Sequence, residues 1–363
     1  MRRIHVFALP YANTDGTAPW CAFTNKVMGF AAMMRSLGHD VILYAGESNT
    51  APCTEHVACF SREDRLALCD TYGPKAWSVT DPAFALFNER ASEALRARIR
   101  ERDLCCYIGG STAAPISMAS DVAAVHMEFG IGYAGTFAPY RVFESYAWMH
   151  TVYGAQQGAA SANGHAFDAV IPASYDLADF PEGDGDGGYL LFVARIIERK
   201  GIRTAVETAK RVGLPLLVAG AGDTSLLAGY DRVEYVGVVD SKRRAELMGG
   251  ATALLMPTQY VGPFESVAVE AMLCGTPAIT TDWGAFAETV TQGVNGWRCR
   301  SLGEFAWAAG KAGELDRRAI RDAARRHYDR NRIRHVYEGY FERLDTLWGA
   351  GWYDTTEREP VGA

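Results

Sequence analysis

The sequence predicts an α/β protein of two domains, each built on a doubly wound parallel sheet. Its length of 363 residues favours two domains, because one domain takes about 150 residues. Short apolar runs alternate with segments of helical spacing twice along the chain, as the strands and helices of a parallel sheet do. A segment rich in Gly and Asp separates the two series near residues 173–188, which is typical of a linker.

The first series fills a predicted N-terminal domain at 1–172. Its predicted elements are the strand Arg3–Leu9, the helix Ala22–Leu37 and the strands Val41–Tyr44, Leu104–Ile108 and Val122–Met127. Gly38 ends the helix. A strand, a helix and a strand in succession imply a right-handed parallel crossover.

The predicted linker, 173–188, contains Asp184-Gly185-Asp186, which resembles a metal-binding pair of carboxylates. We interpret it as linker composition, and we predict no metal site. The second domain is predicted at 189–335. Its predicted elements are the strands Tyr189–Ala194, Leu214–Ala219, Val233–Val236, Ala253–Met256 and Pro277–Thr280, with the helices Gly201–Val212, Arg243–Met248 and Ser266–Leu273. Residues 336–363 are expected to form a helix and tail that return to the N-terminal domain.

Ligands of open parallel sheets bind in the crevice at the carboxyl ends of the strands. We therefore expect the two domains to face each other across a cleft that holds the site.

The charge and the residue types of the chain argue against several classes of protein. A net charge of −7 gives no overall attraction for nucleic acid. The eight cysteines show no zinc spacing. Without a secretory signal or a membrane-spanning run, the expected location is the cytoplasm.

The segment 256–271, MPTQYVGPFESVAVEA, carries the strongest functional signal. Pro263 suits the first turn of a helix, so we expect the helix to begin near Pro263–Glu265. Its free N–H groups and positive dipole end would hold a diphosphate. Glu270, about one turn further on, could accept hydrogen bonds from both hydroxyls of a ribose.

Cations follow the first strand of the second domain, in VARIIERKG. Arg195 and Lys200 could neutralise two phosphates as the donor bond breaks, because positive charge where negative charge grows is a large catalytic term.

These segments resemble the retaining family 4 glycosyltransferases, which have the GT-B fold of two Rossmann-like domains. The resemblance covers about 185–300 and rests on five segments: VARIIERKG, LLVAGAGD, VEYVGVV, PFESVAVEAMLCGTPAI and ETVTQGVNGW. The stretch 127–150 resembles a bacterial and phage subgroup. The resemblance implies transfer of a hexose or pentose from a nucleoside-diphosphate sugar, with UDP favoured, by a metal-independent front-face mechanism. It implies no cofactor, since the nucleotide sugar is a substrate.

One departure from the family pattern concerns the donor sugar. The family carries Glu-x7-Glu, and the position of its first Glu is occupied here by Gly262. The family usually has a Gly directly after the position of Phe264, and this chain has Glu265 there. That first Glu contacts the hydroxyls of the donor sugar. Either Glu265 substitutes for it or the sugar lacks the contact.

The predicted site residues fall into three groups. Arg195, Lys200, His126 and Glu265 are assigned to catalysis, His126 because it is expected at a strand end. Donor binding is assigned to Glu270, Phe264, Ser266, Gly262, Val267 and Gly220. The acceptor-side candidates are Glu128, Tyr133, Arg141 and Glu144. The acceptor is a hydroxyl of a small molecule, a lipid or a modified DNA base.

Three alternatives stay open. The missing Glu at 262 also fits a non-catalytic nucleotide-sugar-binding protein. Another GT-B enzyme, a nucleotide-sugar epimerase or a pyridoxal-phosphate-dependent phosphorylase, is the second. The third is a phage-type enzyme that glycosylates hydroxymethylated DNA, since 317–334 holds eight Arg that could contact phosphates. We interpret that segment first as a solvated helix face. No GxGxxG follows the first strand, which argues against a dehydrogenase.

Overall fold

The computed structural model describes residues 1–71, 73–157 and 165–346. Its strands are β1 (Arg3–Phe7), β2 (Asp40–Gly46), β3 (Glu55–Phe60), β4 (Cys69–Asp70), β5 (Gly73–Pro74), β6 (Leu104–Tyr107), β7 (Val125–Ile131), β8 (Tyr140–Phe143), β9 (Ala169–Val170), β10 (Leu190–Val193), β11 (Leu216–Ala219), β12 (Val233–Gly237), β13 (Ala253–Met256), β14 (Ala278–Thr281) and β15 (Gly296–Cys299).

Its helices are α1 (Ala22–Ser36), α2 (Arg62–Leu68), α3 (Pro82–Arg96), α4 (Ala114–Ser117), α5 (Tyr146–Gln157), α6 (Ile202–Val212), α7 (Ser241–Gly250), α8 (Ser266–Leu273), α9 (Phe286–Thr289), α10 (Leu302–Lys311), α11 (Arg317–Tyr328) and α12 (Arg330–Asp345). All eight cysteines are free thiols. Among the described helices, none combines the length and the apolar character needed to cross a membrane.

The chain divides into two compact units. Unit 1 holds Met1–Glu144, Met149–Ser174 and the described residues from Arg330 onward. Unit 2 holds Ser145–Trp148 and Tyr175–Asp329. The sequence placed the last boundary at 336, whereas α12 begins at Arg330 and belongs to unit 1 as a whole. The predicted tail residues 347–363, with Trp348 and Trp352, lie outside the described residues.

Unit 1 is built on a seven-stranded sheet in the order β3-β2-β1-β6-β7-β8-β9, with every pair parallel. Side chains alternate between its faces, so Ile4 and Val6 join α1 and α12 in one core cluster. Phe7, Ile42 and Tyr44 pack with α3 in a second core cluster, which is separate from the first. Helices therefore cover both faces of this sheet. Its order reverses direction between β1 and β6.

Unit 2 is built on a six-stranded parallel sheet in the order β12-β11-β10-β13-β14-β15. One face is packed by α6 and α10 around Leu190, Phe192 and Leu255. The order reverses between β10 and β13. The predicted α/β class, with parallel sheets in two Rossmann-like units, is confirmed.

Three local predictions differ from the structure. The strand predicted at Val122–Met127 runs from Val125 to Ile131, because the apolar alternation continues through Phe129 and Ile131, which are buried. The helix expected to begin near Pro263–Glu265 begins at Ser266, because Glu265 has a left-handed backbone that cannot continue a helix.

The predicted linker also differs, since it is tied to unit 2 by backbone hydrogen bonds. The N–H groups of Gly183, Gly185 and Gly187 donate to Cys274, Gly249 and Gly250, at 3.0 Å each. Close backbone approach, rather than mobility, accounts for these glycines: a Cβ at Gly183 would lie 2.1 Å from Cα of Gly249.

Candidate functional site

The loops that flank the reversal point of the unit 2 sheet are joined to each other. The loop after β10 carries the predicted cations, and the loop after β13 leads to α8. The N–H of Gln259 donates to the carbonyl of Arg199 at 2.9 Å. A Cβ at Gly201, which has a φ of +77°, would lie 2.0 Å from the carbonyl oxygen of Pro257. The glycine is therefore required for the two loops to touch.

Gly220 supports the same loop from the other side. Its φ is +138°, and a Cβ there would lie 1.9 Å from the carbonyl oxygen of Ala194. The N–H of Ile196 donates to Ala221 at 2.8 Å, and the N–H of Asp223 donates to Ile196 at 2.9 Å. Gly220, predicted to bind donor, is thus placed where it fixes the backbone on either side of Arg195.

Lys200 and Glu265 form an ion pair across these loops. The Lys200 Nζ donates to the two carboxylate oxygens of Glu265 at 3.0 and 2.8 Å. Both side chains are largely enclosed, with 13% and 6% of their surface exposed. Glu265 has φ +60° and ψ +59°, a conformation that costs a non-glycine residue about 1–2 kcal/mol.

Glu265 occupies the space above Gly262. A Cβ at Gly262 would lie 2.2 Å from Oε1 of Glu265 and 2.5 Å from its Cγ. A side chain at 262 and the present one at 265 would therefore compete for one place. The carboxylate that the resemblance leads us to expect at 262 is missing, and a carboxylate from 265 fills the same region.

Cationic groups surround Tyr260 in this corner. The Arg199 guanidinium carbon lies 4.2 Å from the centre of its ring, and the Lys200 Nζ lies 4.9 Å from it. Such distances suit cation–π attraction. Arg195 is exposed and forms no ion pair with any residue in the described ranges. Its positive charge is thus available to a ligand.

The start of α8 is open to the same corner in part. Glu265 is its N-cap residue and gives no side-chain capping bond, so early N–H groups of the helix, at Ser266 and Val267, are of the type that bind anions. The Phe264 side chain, in contrast, is 3% exposed and packs edge-on against Tyr328, with ring centres 5.9 Å apart. The predicted donor residue Phe264 is thus a core residue.

Glu270 is buried in the second turn of α8 and paired with Arg244. The Arg244 Nε donates to Oε2 of Glu270 at 2.7 Å. Arg244 was missed from the sequence, since an Arg on the predicted helix Arg243–Met248 gives no signal of what it contacts. The pair orients one oxygen of the carboxylate and leaves Oε1 as the oxygen for a further donor.

His126 lies near the amino end of β7 and not at the carboxyl end beside the loop that follows the strand, which corrects the basis of its assignment. It is the second residue of β7 and pairs in register with Cys105 in the middle of β6. Its Nδ1 lies 2.8 Å from the Tyr107 hydroxyl, and burial lowers its pKa. The error arose because β7 continues four residues past the predicted Met127 end.

Glu128 and Tyr133, two acceptor-side candidates, contact each other in unit 1. Glu128 is fully buried, and its carboxylate accepts from the Tyr133 hydroxyl at 3.1 Å. It also accepts from the N–H groups of Phe137 and Ala138 at 2.8 and 3.0 Å. Burial raises the pKa of Glu128 to about 7, against these hydrogen bonds. Glu128 therefore anchors the loop that follows β7.

Arg141 and Glu144, the other two candidates, are held in separate buried ion pairs. The Arg141 Nη2 lies 2.7 Å from Oδ2 of Asp168, and both side chains are at most 5% exposed. Glu144 pairs with Lys26, which also donates to the carbonyl of Gly130 at 3.1 Å. Glu128 and Arg141 are paired in register across β7 and β8, so Glu128, Tyr133 and Arg141 lie together, whereas Glu144 is held in a separate pair with Lys26.

The Arg-rich segment is partly structural. Arg317 donates to the carbonyls of Ala251 and Gly249 at 3.0 and 2.9 Å, and Arg321 donates to that of Leu273 at 3.1 Å. These bonds close the carboxyl ends of neighbouring elements. The described ranges bring no three His, Cys, Asp or Glu side chains together in a group suited to a metal ion, Asp184 and Asp186 included.

Comparisons with known proteins agree on the second unit. Residues 187–312 match the family Glycosyl transferases group 1. An uncharacterized glycosyltransferase of Methanocaldococcus jannaschii is 31% identical over 123 residues, which are 31% of this chain and 31% of that protein. The chain matches about a third of the length of its curated relatives.

Solved structures match nearly the whole chain. AviGT4, a glycosyltransferase involved in avilamycin A biosynthesis, superposes with a TM-score of 0.70 at 19% identity, over 95% of this chain and 98% of that one. Anabaena HepE in complex with UDP and glucose gives 0.67 at 15% identity, over 94% and 100%. The chain therefore has the GT-B fold of these solved structures, and its residues 187–312 are similar to the Glycosyl transferases group 1 family.

Proposed function

We propose that the chain is a retaining glycosyltransferase of family 4, related to its bacterial and phage subgroup. It moves a hexose or pentose from a nucleoside-diphosphate sugar to an acceptor hydroxyl. The observation that carries this proposal is the Lys200–Glu265 pair, held where the loops after β10 and β13 meet. Ligands of open parallel sheets bind at such a reversal of strand order.

The diphosphate of the donor binds between the cations and the start of α8. Lys200 carries three N–H donors, so it can keep Glu265 and still donate to a phosphate oxygen. Arg195 adds a forked contact, and the N–H groups of Ser266 and Val267 add the helix contribution. We assign the ribose to Oε1 of Glu270, since Arg244 holds Oε2. UDP is favoured, in line with Anabaena HepE, which has the same fold and binds UDP.

Glu265 takes the part that the family gives to the residue at 262. Its carboxylate fills the space above Gly262 and is held there by Lys200. We assign it to hydroxyls of the donor sugar. This assignment favours an enzyme over a non-catalytic binding protein, because a carboxylate is still supplied, from position 265 instead of position 262.

The transfer step needs neither a metal ion nor a cofactor in this proposal. The bond from C1 of the sugar to the diphosphate breaks, and its electron pair leaves with the diphosphate. The acceptor oxygen bonds to C1 on the same face, and its proton passes to the departing phosphate oxygen. Arg195 and Lys200 stabilise the charge that grows on the diphosphate.

The test compares nucleotide binding by the wild type, Lys200→Ala and Lys210→Ala. A ligand that binds only the folded state raises the melting temperature, so UDP and UDP-glucose should do so for the wild type, and GDP and ADP less. Lys200→Ala should weaken UDP about tenfold or more, because it removes a hydrogen bond to a charged group. Lys210 is an exposed residue of α6 and serves as the matched control.

Turnover is then measured as UDP release with small-molecule, lipid and hydroxymethylated-DNA acceptors. Release that depends on an acceptor supports a transferase, and the active arm of the panel decides between the DNA alternative and the others. The proposal is overturned if no nucleotide stabilises the wild type, or if Lys200→Ala binds UDP as the wild type does.

A further inference from the structure

Glu270 is the one charged side chain of α8, and it depends on α7 for its partner. Its neighbours Val269 and Ala271 are fully buried, and Glu270 itself is 8% exposed. Taking a carboxylate out of water costs free energy unless the charge gains a partner. Arg244 of α7 supplies this partner, and the two side chains together form a mostly buried ion pair.

Contacts other than this ion pair hold α7 against the end of α8. The Thr276 hydroxyl donates to the carbonyl of Met248 at 2.5 Å, and the Cys274 thiol donates to that of Ala245 at 3.7 Å. Ala245 and Met248 are also buried apolar residues of α7. The placement of α7 on α8 therefore does not depend on Arg244.

Arg244 also differs from the arginine that fastens the backbone of unit 2. Arg317 donates to the carbonyls of Ala251 and Gly249, so it joins segments of the main chain. Within the described residues, the Arg244 side chain donates to Glu270 alone, through Nε at 2.7 Å. What Arg244 fixes is therefore the orientation of one carboxylate.

The second oxygen of this carboxylate is open to a ligand. Arg244 holds Oε2, and no donor from the part of the chain that the structure describes reaches Oε1 of Glu270. An ionised carboxylate only accepts hydrogen bonds, so Oε1 suits a ligand that brings N–H or O–H groups. Because Oε2 is held, Oε1 keeps one direction before any ligand arrives.

We propose that Arg244 is a positioning residue that makes the donor site selective for ribonucleotides over deoxyribonucleotides. It holds Glu270 so that Oε1 accepts a hydrogen bond from a ribose hydroxyl. This inference rests on the proposed function, which places the ribose at Glu270. A deoxyribonucleotide that lacks the hydroxyl leaves Oε1 without a donor, and a site that bonds a hydroxyl rejects the analogue without it.

The experiment titrates the full chain with UDP, 2′-deoxy-UDP and 3′-deoxy-UDP and measures each dissociation constant by calorimetry. The wild type should bind at least one deoxy nucleotide about tenfold or more weakly than UDP, since a buried acceptor loses its donor. Arg244→Met should reduce this preference severalfold. Arg244→Lys, which keeps the charge but not the planar geometry, should retain more of it than Arg244→Met.

Arg243→Met is the matched control, because Arg243 is the adjacent arginine of the same helix. Its guanidinium lies 3.1 Å from the carboxylate of Glu246 in an exposed pair, with 56% and 45% of the two side chains exposed. Arg243→Met should keep the preference of the wild type. The preference compares two ligands on one protein, so a general loss of stability or of folded protein does not change it.

A double variant shows whether Arg244 acts through Glu270. Adding Arg244→Met to Glu270→Gln should not lower the preference below that of Glu270→Gln alone, since the two substitutions then remove one and the same effect. The double variant leaves no buried charge without a partner, so it keeps the inference testable if Arg244→Met does not fold.

Three results overturn the inference and leave the proposed transferase standing. They are a wild type that binds both deoxy nucleotides as tightly as UDP, an unchanged preference in Arg244→Met, and a further loss of preference in the double variant relative to Glu270→Gln. Absence of UDP binding by the wild type overturns the proposed donor site, and this inference with it.

Discussion

The Glu265 carboxylate lies 2.8 Å from the Lys200 ammonium, although the Glu265 backbone has a conformation that favours glycine. Among the non-glycine residues in the described ranges, only Arg102 and Glu265 have a positive φ. Strain of this kind persists where the surroundings fix it, and it is often found at functional sites. The ion pair and the space above Gly262 give the strain at Glu265 a physical reason.

Glu265→Ala and Glu265→Gly should separate strain from charge. Both variants lose the pair with Lys200, but only glycine relieves the left-handed backbone. Glu265→Gly should therefore unfold with a free energy about 1 kcal/mol higher than Glu265→Ala. Urea unfolding measures the difference, and both variants should raise the Michaelis constant for the donor. Equal stability of the two would show that the backbone is unstrained.

Two substitutions can return the carboxylate from position 265 to position 262. Gly262→Glu with Glu265→Gly places a carboxylate where the family has it, so the double variant should bind donor more tightly than Glu265→Gly alone. Gly262→Glu alone should bind donor worst, because two carboxylates then compete for one place. Donor Michaelis constants of the four chains check this, and a double variant no better than Glu265→Gly would contradict it.

The glycines beneath the cationic loop should not tolerate a methyl group. In Gly201→Ala and Gly220→Ala the new Cβ would lie 2.0 and 1.9 Å from carbonyl oxygens, so each should cost about 1–3 kcal/mol of stability, as overpacking does. UDP affinity should fall as well, because the loop carrying Arg195 and Lys200 moves. Gly310→Ala is the control: nothing lies within 4 Å of its Cβ, so this helical substitution should stabilise by about 0.5–1 kcal/mol. Differential scanning calorimetry should show a lower melting temperature for Gly201→Ala and Gly220→Ala and a higher one for Gly310→Ala.

Glu128 should make stability depend on pH. Burial raises its pKa to about 7 from an ordinary value of 4.5, so the folded chain holds this proton more strongly than the unfolded chain. The stabilisation is complete below pH 4.5 and is lost as pH rises towards and through 7, with at most about 1.4 kcal/mol per unit of pKa difference. Tyr133 and Arg141 are the groups that face the carboxylate.

Glu128→Gln isolates this effect because the amide oxygen can still accept from Phe137 and Ala138. The stability of the wild type relative to Glu128→Gln, measured by urea unfolding between pH 4.5 and 8, should decline as pH rises. A stability difference that is independent of pH, or that increases with pH, would contradict a raised pKa of Glu128.

Local patterns carried much of the fold. The strand Ala253–Met256 has the bounds that the sequence predicts, and the helix α8 ends at the predicted Leu273, because their apolar runs end at glycine, proline or polar residues. The strand end at Met127 was wrong because β7 remains buried beyond it, and burial depends on neighbours that are distant in sequence. His126 was misplaced for the same reason.

The sequence by itself determined two alternating series of strands and helices, the cations after β10 and the departure at 262 and 265, since each depends on residue type and spacing. Only the tertiary structure decided that Glu265 fills the space of the missing side chain, that Arg141 is tied to Asp168, and that Arg244 is paired with Glu270. The physical reason is that these contacts join residues far apart in the chain or depend on one backbone conformation, and no local periodicity records either.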